Sequence, residues 1–349
     1  MIIEAQAHLS LKEFLKQNSN ISTWQHHLTM TRLVARALRL GRSSLIQTGV
    51  PLGDVNIPYR LSYLTPALLW DEPVILVGDD SIQNHLFYEK ITDLQQSLKT
   101  KKIVTIIDNY SHNWQGLLLT SLEFWLNEKL NQTGFFPPGI TTIIDGADQL
   151  EDLTREQLTV SLTPQNWDEL MFSFPQEKQM ILDTKVKLTK IVFSHPSNPY
   201  NCYLLDNIEK QILSTLLDLL PKLKNNESQN IITSENHSQS LNQINKLPNQ
   251  WQIFQKQWAK ENSIKWVSIN RVTGQFSLYC GELEVGTKLS KIWTEQPIVL
   301  IGTLLDKSPD AHFYRQQLGL PDLTCLQFSI DRQTEPIRLY IPDHIPMPN

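Results

Sequence analysis

Residues 140–152 read Ile140-Thr141-Thr142-Ile143-Ile144-Asp145-Gly146-Ala147-Asp148-Gln149-Leu150-Glu151-Asp152. The first five are apolar or β-branched and show no helical period, which reads as a buried strand. A carboxylate, Asp145, stands at its end. Working outward, the same kind of run recurs at Ser44-Leu45-Ile46-Gln47, Pro73-Val74-Ile75-Leu76-Val77-Gly78, Ile103-Val104-Thr105-Ile106-Ile107, Leu117-Leu118-Leu119-Thr120 and Pro297-Ile298-Val299-Leu300-Ile301-Gly302. Helical spacing predicts helices over 8–18, 29–40, 59–70 and 82–99 between the earlier strands. Gly41 sits where a helix C-terminus wants a glycine. Short apolar strands alternating with helices predict parallel βα units, whose strands are buried on both faces.

The chain has 349 residues, 40% hydrophobic and 19% charged. At roughly 150 residues per domain, that is a prior of about two domains. The formal net charge of −5 excludes a generally basic nucleic-acid coat, so any polyanion must be met by local patches. Cys202, Cys280 and Cys325 are too scattered for a closed zinc site, an iron–sulfur site or a disulfide framework. No apolar run approaches the ~20 residues of a membrane span. The N-terminus lacks the basic start and apolar stretch of a signal peptide. A soluble, cytoplasmic protein that meets no membrane is the expectation.

Residues 151–290 interrupt the βα pattern. Helical stretches such as Asp206–Lys222 and Gln250–Lys260 fall here, and Phe276-Ser277-Leu278-Tyr279-Cys280 alternates like a half-buried strand. An Asn-, Ser- and Gln-rich tract at about 224–248 reads as a disordered loop.

Three segments carry a resemblance. The first runs from Trp24-Gln25-His26-His27-Leu28-Thr29-Met30 through Leu45-Ile46-Gln47 to Leu61-Ser62-Tyr63-Leu64-Thr65-Pro66. The second is 142–152, with its trailing Leu150-Glu151-Asp152. The third is Val299-Leu300-Ile301-Gly302-Thr303-Leu304, followed by Tyr314-Arg315-Gln316-Gln317-Leu318-Gly319-Leu320 and Leu339-Tyr340-Ile341-Pro342-Asp343. In order and spacing this resembles the DinG branch of the XPD-like superfamily 2 DNA helicases. The segments match that family's ATP-site motif, its DEAH-type motif and its SAT motif.

The resemblance implies a RecA-like, P-loop-type α/β domain with a parallel sheet, built from 1–150 and 291–349. It implies a mostly helical, arch-like insertion at 151–290. ATP and Mg²⁺ are the implied cofactors, and single-stranded or forked DNA the implied ligand. A second RecA-like domain, in cis or in trans, is the implied partner. The family's iron–sulfur cluster is expected to be absent, because the interval that would hold it contains no cysteine.

The departures from the family pattern bear on chemistry. A phosphate loop needs backbone N–H donors, a Lys on the β/γ-phosphates and a Ser/Thr on Mg²⁺. Here 47–60 contains Gln47, Thr48, Gly49 and Gly53, but no Lys; Arg60 is its one cation. Gly146 replaces the Glu that orients the attacking water, and Asp148 replaces the His. Asp145 keeps the metal-holding position. His27 stands where the family reads adenine with a glutamine. Losing a positioned base costs ~10²–10⁴ in rate.

Two readings stand side by side. Gln47, Thr48, Gly49, Gly53, Arg60 and His27 form either a residual nucleotide pocket or an ordinary strand–helix connector. Asp145 and Asp148 are either a residual catalytic pair, with Asp145 on Mg²⁺, or a solvated acidic strand end.

Arg32, Arg36, Arg39 and Arg42 share most of one helix face. With Thr303 of the SAT-like segment they are the candidate nucleic-acid contacts, or else an ordinary solvated face. Trp251, Trp258, Trp266 and Trp293 are base-stacking candidates or core. The functional expectation is a DinG/XPD-like module with eroded ATP-site motifs, nucleic-acid-binding or regulatory in DNA repair or maintenance. The alternatives are an active helicase whose second motor domain lies elsewhere, and a protein-interaction scaffold.

Overall fold

The structure, a computed structural model, describes residues 2–18, 24–50, 59–83, 85–107, 114–226 and 246–329. Gly53, most of the 224–248 tract and the segment 339–349 lie outside the described residues.

The chain divides into two compact units, Met1–Leu150 with Leu289–Asn349, and Glu151–Lys288. The first unit opens with α1 (Ile3–Gln17), α2 (His27–Leu40), β1 (Ser44–Gln47), α3 (Arg60–Leu69), β2 (Val74–Gly78) and α4 (His85–Leu98). Then come β3 (Val104–Ile106), β4 (Leu117–Ser121), α5 (Leu122–Asn131) and β5 (Thr142–Asp145). The second unit contains α6 (Leu150–Gln157), β6 (Val160–Leu162), α7 (Pro164–Ser173), α8 (Lys178–Val192), β7 (Cys202–Leu204), α9 (Asn207–Asn226), α10 (Asn249–Trp258), β8 (Ser263–Asn270) and β9 (Gln275–Glu282). The chain returns to the first unit through α11 (Gly286–Glu295), β10 (Ile298–Gly302), α12 (His312–Gln317) and β11 (Thr324–Gln327).

Seven strands of the first unit form one sheet in the order β11-β1-β10-β5-β2-β4-β3. Every pair is parallel, as the uninterrupted apolar runs predict. Alternate side chains Ile46, Leu76, Leu119, Ile143, Val299 and Ile301 enter one core with Met30, Val34 and Leu38 of α2, Leu64 and Leu68 of α3, and Ile91 and Leu94 of α4. Leu45, Ile75, Leu118, Ile144 and Leu300, on the other face, are buried as well.

Helix α2 shows how sequence sets the packing. Met30, Val34, Ala37 and Leu38 recur at helical spacing and are buried. Gly41 ends the helix with φ 58, a conformation that costs glycine nothing. The neighbouring helix α3 carries Pro66 in its interior. Pro66 has no N–H, which leaves the Ser62 carbonyl without its helical donor. The Thr31 hydroxyl donates to that carbonyl at 2.7 Å, so the break in α3 becomes the point at which α2 docks.

The second unit is mostly helical, with more of its residues in α6 to α10 than in strands. Besides its helices it holds a four-stranded antiparallel sheet in the order β6-β9-β8-β7. The alternation at 276–280 marks one strand, β9. Its long partner β8 alternates too, with Val267 and Ile269 buried. Between them Trp266 lies flat on Tyr279 of β9, with ring centroids 5.3 Å apart. Trp251 and Trp258 belong to this unit's core, together with Trp167 and Phe254. Trp293, in the first unit, is also buried and donates to the Leu318 carbonyl.

Candidate functional site

Parallel sheets place their chemistry at the carboxyl ends of the strands. Here those ends gather Gln47, Thr48 and Gly49 after β1, Asp79 and Ser81 after β2, Asp145–Asp148 after β5, and Thr303 after β10. Helix α3 crosses nearby with Tyr59, Arg60 and Tyr63 at its start.

Asp145 is the centre of the cluster and is buried, with 3% exposure. Its Oδ1 accepts from the Tyr59 hydroxyl at 2.9 Å. Its Oδ2 accepts from the Tyr63 hydroxyl at 2.7 Å and from Arg60 Nε at 2.9 Å. The rest of the Arg60 fork donates to Ser81 Oγ at 2.9 Å and Asp79 Oδ1 at 3.3 Å, and the guanidinium lies over the Phe87 ring, 5.2 Å from its centroid. Burial opposes the Arg60 charge, but its anionic neighbourhood, Asp145 included, more than offsets this and leaves its pKa raised. Burial and the adjacent Asp145 charge push both tyrosine hydroxyls up, so they remain neutral donors.

The residues do not fit Mg²⁺. Both oxygens of Asp145 are already engaged, and one neighbour is a guanidinium, which repels a divalent cation. Among the described residues no group of three His, Cys, Asp or Glu side chains could hold a metal.

The backbone after β5 has its own geometry at the motif that the sequence resembles. Gly146 has φ 110, a conformation that L side chains rarely adopt, so a glutamate at this position would be strained. Asp148 accepts from the Thr303 N–H at 3.0 Å through Oδ1 and 3.1 Å through Oδ2. Burial pushes its carboxyl up, against the pull of that N–H. Gly302 sits at a close approach: a Cβ there would lie 2.4 Å from Leu305 Cδ2 and 3.0 Å from Asp148 Oδ2, so those side chains would have to shift.

The segment resembling a phosphate loop begins as strand. Thr48 N–H donates to the Gly302 carbonyl at 2.8 Å, and Gly49 N–H to the Thr303 carbonyl at 3.0 Å. Phe328 N–H donates to the Gln47 carbonyl at 2.9 Å. These bonds extend the β1 ladder on both sides and use the N–H groups of Thr48 and Gly49. The Gln47 side chain is spent as well. Its Oε1 accepts from the N–H groups of Leu305 and Asp306, and its Nε2 donates to the Ser308 carbonyl. Gln47, Asp148 and Asp306, which accepts from Phe313 and Tyr314 N–H, together pin the chain after β10.

His27 is buried, its Nδ1 2.8 Å from Ser62 Oγ and its ring edge-on to Trp24. Burial pulls its pKa down to about 4. His26 stacks on Phe328.

The arginines of α2 are all exposed, but they are not equivalent. Arg39 donates through Nε and Nη2 to Glu4 Oε1, at 2.8 and 2.6 Å. Arg32 and Arg36 make no ion pair among the described residues.

The cluster therefore joins Asp145 to Arg60, both singled out in sequence, whereas Gln47, Thr48, Gly49 and His27 are each engaged by other partners. Tyr59, Tyr63, Asp79 and Ser81 were missed. Tyr59 and Tyr63, four apart with Arg60 between, carry a helical-spacing signal that could have placed them on one face.

No family model matches the chain, and no curated protein matches it. Among solved structures, an apo XPD is similar at 12% identity with a TM-score of 0.52; the match covers 87% of this chain and 58% of that one. An XPD helicase is similar at 12% identity with a TM-score of 0.50, covering 87% of this chain and 62% of that one. The chain thus spans about three-fifths of the length of these structures, and among the described residues no helix is long and apolar enough to cross a membrane. What the likeness establishes is the fold, and that fold is XPD-helicase-like.

Proposed function

We propose that this chain is a DinG-like helicase-fold module that does not hydrolyse ATP and serves as a nucleic-acid-binding, regulatory component of DNA repair or maintenance. The observation that carries the proposal is the buried Arg60–Asp145 pair. In the family the resemblance points to, the first carboxylate of the DEAH-type motif holds Mg²⁺. Here the chain's own guanidinium takes the place of that cation. A neutralised Asp145 cannot also bind a divalent ion, and Gly146 offers no base to the attacking water.

What remains is a rigid sheet edge, which supports a binding role. The XPD-like fold and the exposed arginines of α2 favour nucleic acid as the ligand, with Thr303 held at the sheet's carboxyl edge as a further contact. A second RecA-like domain, in cis or in trans, is the partner that would complete such a module.

A steady-state ATPase assay with single-stranded DNA tests the proposal. Phosphate release should stay at background with and without DNA. DNA-stimulated turnover would overturn the inert reading in favour of an active motor. Absence of any binding to single-stranded DNA at low salt would instead favour a protein-interaction scaffold.

A further inference from the structure

Helices α1 and α2 enclose a groove of about 780 Å³. Its cationic wall is Arg32, Arg36 and Arg39, and its floor includes Leu9, Leu28 and Leu33. We infer that this groove is a single-strand subsite, with phosphates on Arg32 and Arg36 and bases against the leucine floor. The inference rests on the nucleic-acid reading above and specifies where and how the strand sits.

Three observations carry it. Arg32 and Arg36 are four residues apart on one helix face, so their Cβ atoms lie roughly 5–6 Å from each other, both exposed and without an ion pair among the described residues. Glu4 is the one carboxylate lining the groove, and it is already paired with Arg39, whose hydrogen bond holds its carboxyl below the usual range. The lining is therefore cationic in a chain whose overall charge is negative, the local concentration of charge that recognises a polyanion. The apolar floor, in which Leu9 is 53% exposed, selects among polyanions. A duplex turns its bases inward and leaves such a floor unused, whereas a single strand presents phosphates and base faces together. Arg42 lines an adjoining, smaller cavity of about 130 Å³ that shares Leu33 and Arg36 with the groove.

The test is fluorescence anisotropy of a labelled oligothymidine with the full chain across a salt series. Arg32→Ala with Arg36→Ala should weaken binding roughly tenfold at low salt and lower the slope of log K against log salt by about 1.4, two single-strand phosphate contacts at ~0.7 each. Glu4→Gln should do the opposite. It removes the groove's carboxylate and frees Arg39, so affinity should rise several-fold, a gain that misfolding cannot imitate.

Wild-type affinity and slope in the double variant, or no gain in Glu4→Gln, would overturn the groove while leaving nucleic-acid binding in place. Displacement of the oligothymidine by a poly-glutamate peptide that binds more tightly would overturn it in favour of an acidic protein partner. If the unaltered chain binds no oligothymidine at low salt, the groove and the nucleic-acid reading fall together.

Discussion

Replacing Arg60 by alanine should cost about 3–5 kcal/mol of stability, measured by urea denaturation. The reason is asymmetric. The Asp145 carboxylate, 3% exposed in the unaltered protein, is left with only the Tyr59 and Tyr63 hydroxyls as donors. A buried charge stripped of its counter-ion is far costlier than a missing pair. Asp145→Asn should cost less, about 1–3 kcal/mol. The amide oxygen still accepts, and Arg60 retains Asp79 and Ser81. The double variant should be less destabilised than the sum of the two singles, with a coupling of about 0.5–3 kcal/mol. Arg60→Lys should recover only part of the loss, because an ammonium cannot reproduce the fork that spans Asp145, Ser81 and Asp79. Additive single and double variants would mean that the two charges do not support each other.

A second large effect is expected on acidification. Folding holds the His27 pKa near 4, against an ordinary value of 6.5, because burial penalises its charged form. Above pH 6.5 neither the folded nor the unfolded chain carries the proton. Between 6.5 and 4 only the unfolded chain takes it up, so unfolding becomes progressively easier as pH falls. The loss should reach about 3 kcal/mol by pH 4. Denaturation midpoints followed from pH 7 to pH 4 will include other groups, so the comparison that counts is with His27→Gln. That variant should show a shallower fall over the same window, and an equally steep fall would clear His27 of the effect.

How far the sequence foreshadows the molecule differs between fold and site. Strands such as Val74–Gly78 and Ile298–Gly302 are legible because burial on both faces demands unbroken apolar residues. β11, at Thr324–Gln327, is not, since it is a short edge strand with no fully buried residue and hence a weak pattern. In the second unit, β8 mixes Lys265, Trp266 and Ser268 among its buried positions and so hides its alternation. Strand order is not local information either: β1 and β10 pair across some 250 residues of chain.

The same limit governs the site. Asp145 and Arg60 each stand out as residues, one as a carboxylate ending a strand and the other as the lone cation of its loop. Nothing local says that they meet, because 85 positions separate them and only the sheet brings β5 beside the start of α3. The use of Gln47 to pin the chain after β10 is equally nonlocal. The corresponding segments of sequence resemble a nucleotide site in order and spacing, while their polar groups are turned toward one another.

Calorimetric titration of the full chain with Mg–ATP is the most direct measurement. With Asp145 held by Arg60, Tyr59 and Tyr63, and the N–H groups of Thr48 and Gly49 held by the chain after β10, the expected result is no saturable heat at millimolar nucleotide. A one-to-one isotherm that is weakened by Asp145→Asn would contradict the claim that the guanidinium has displaced the metal.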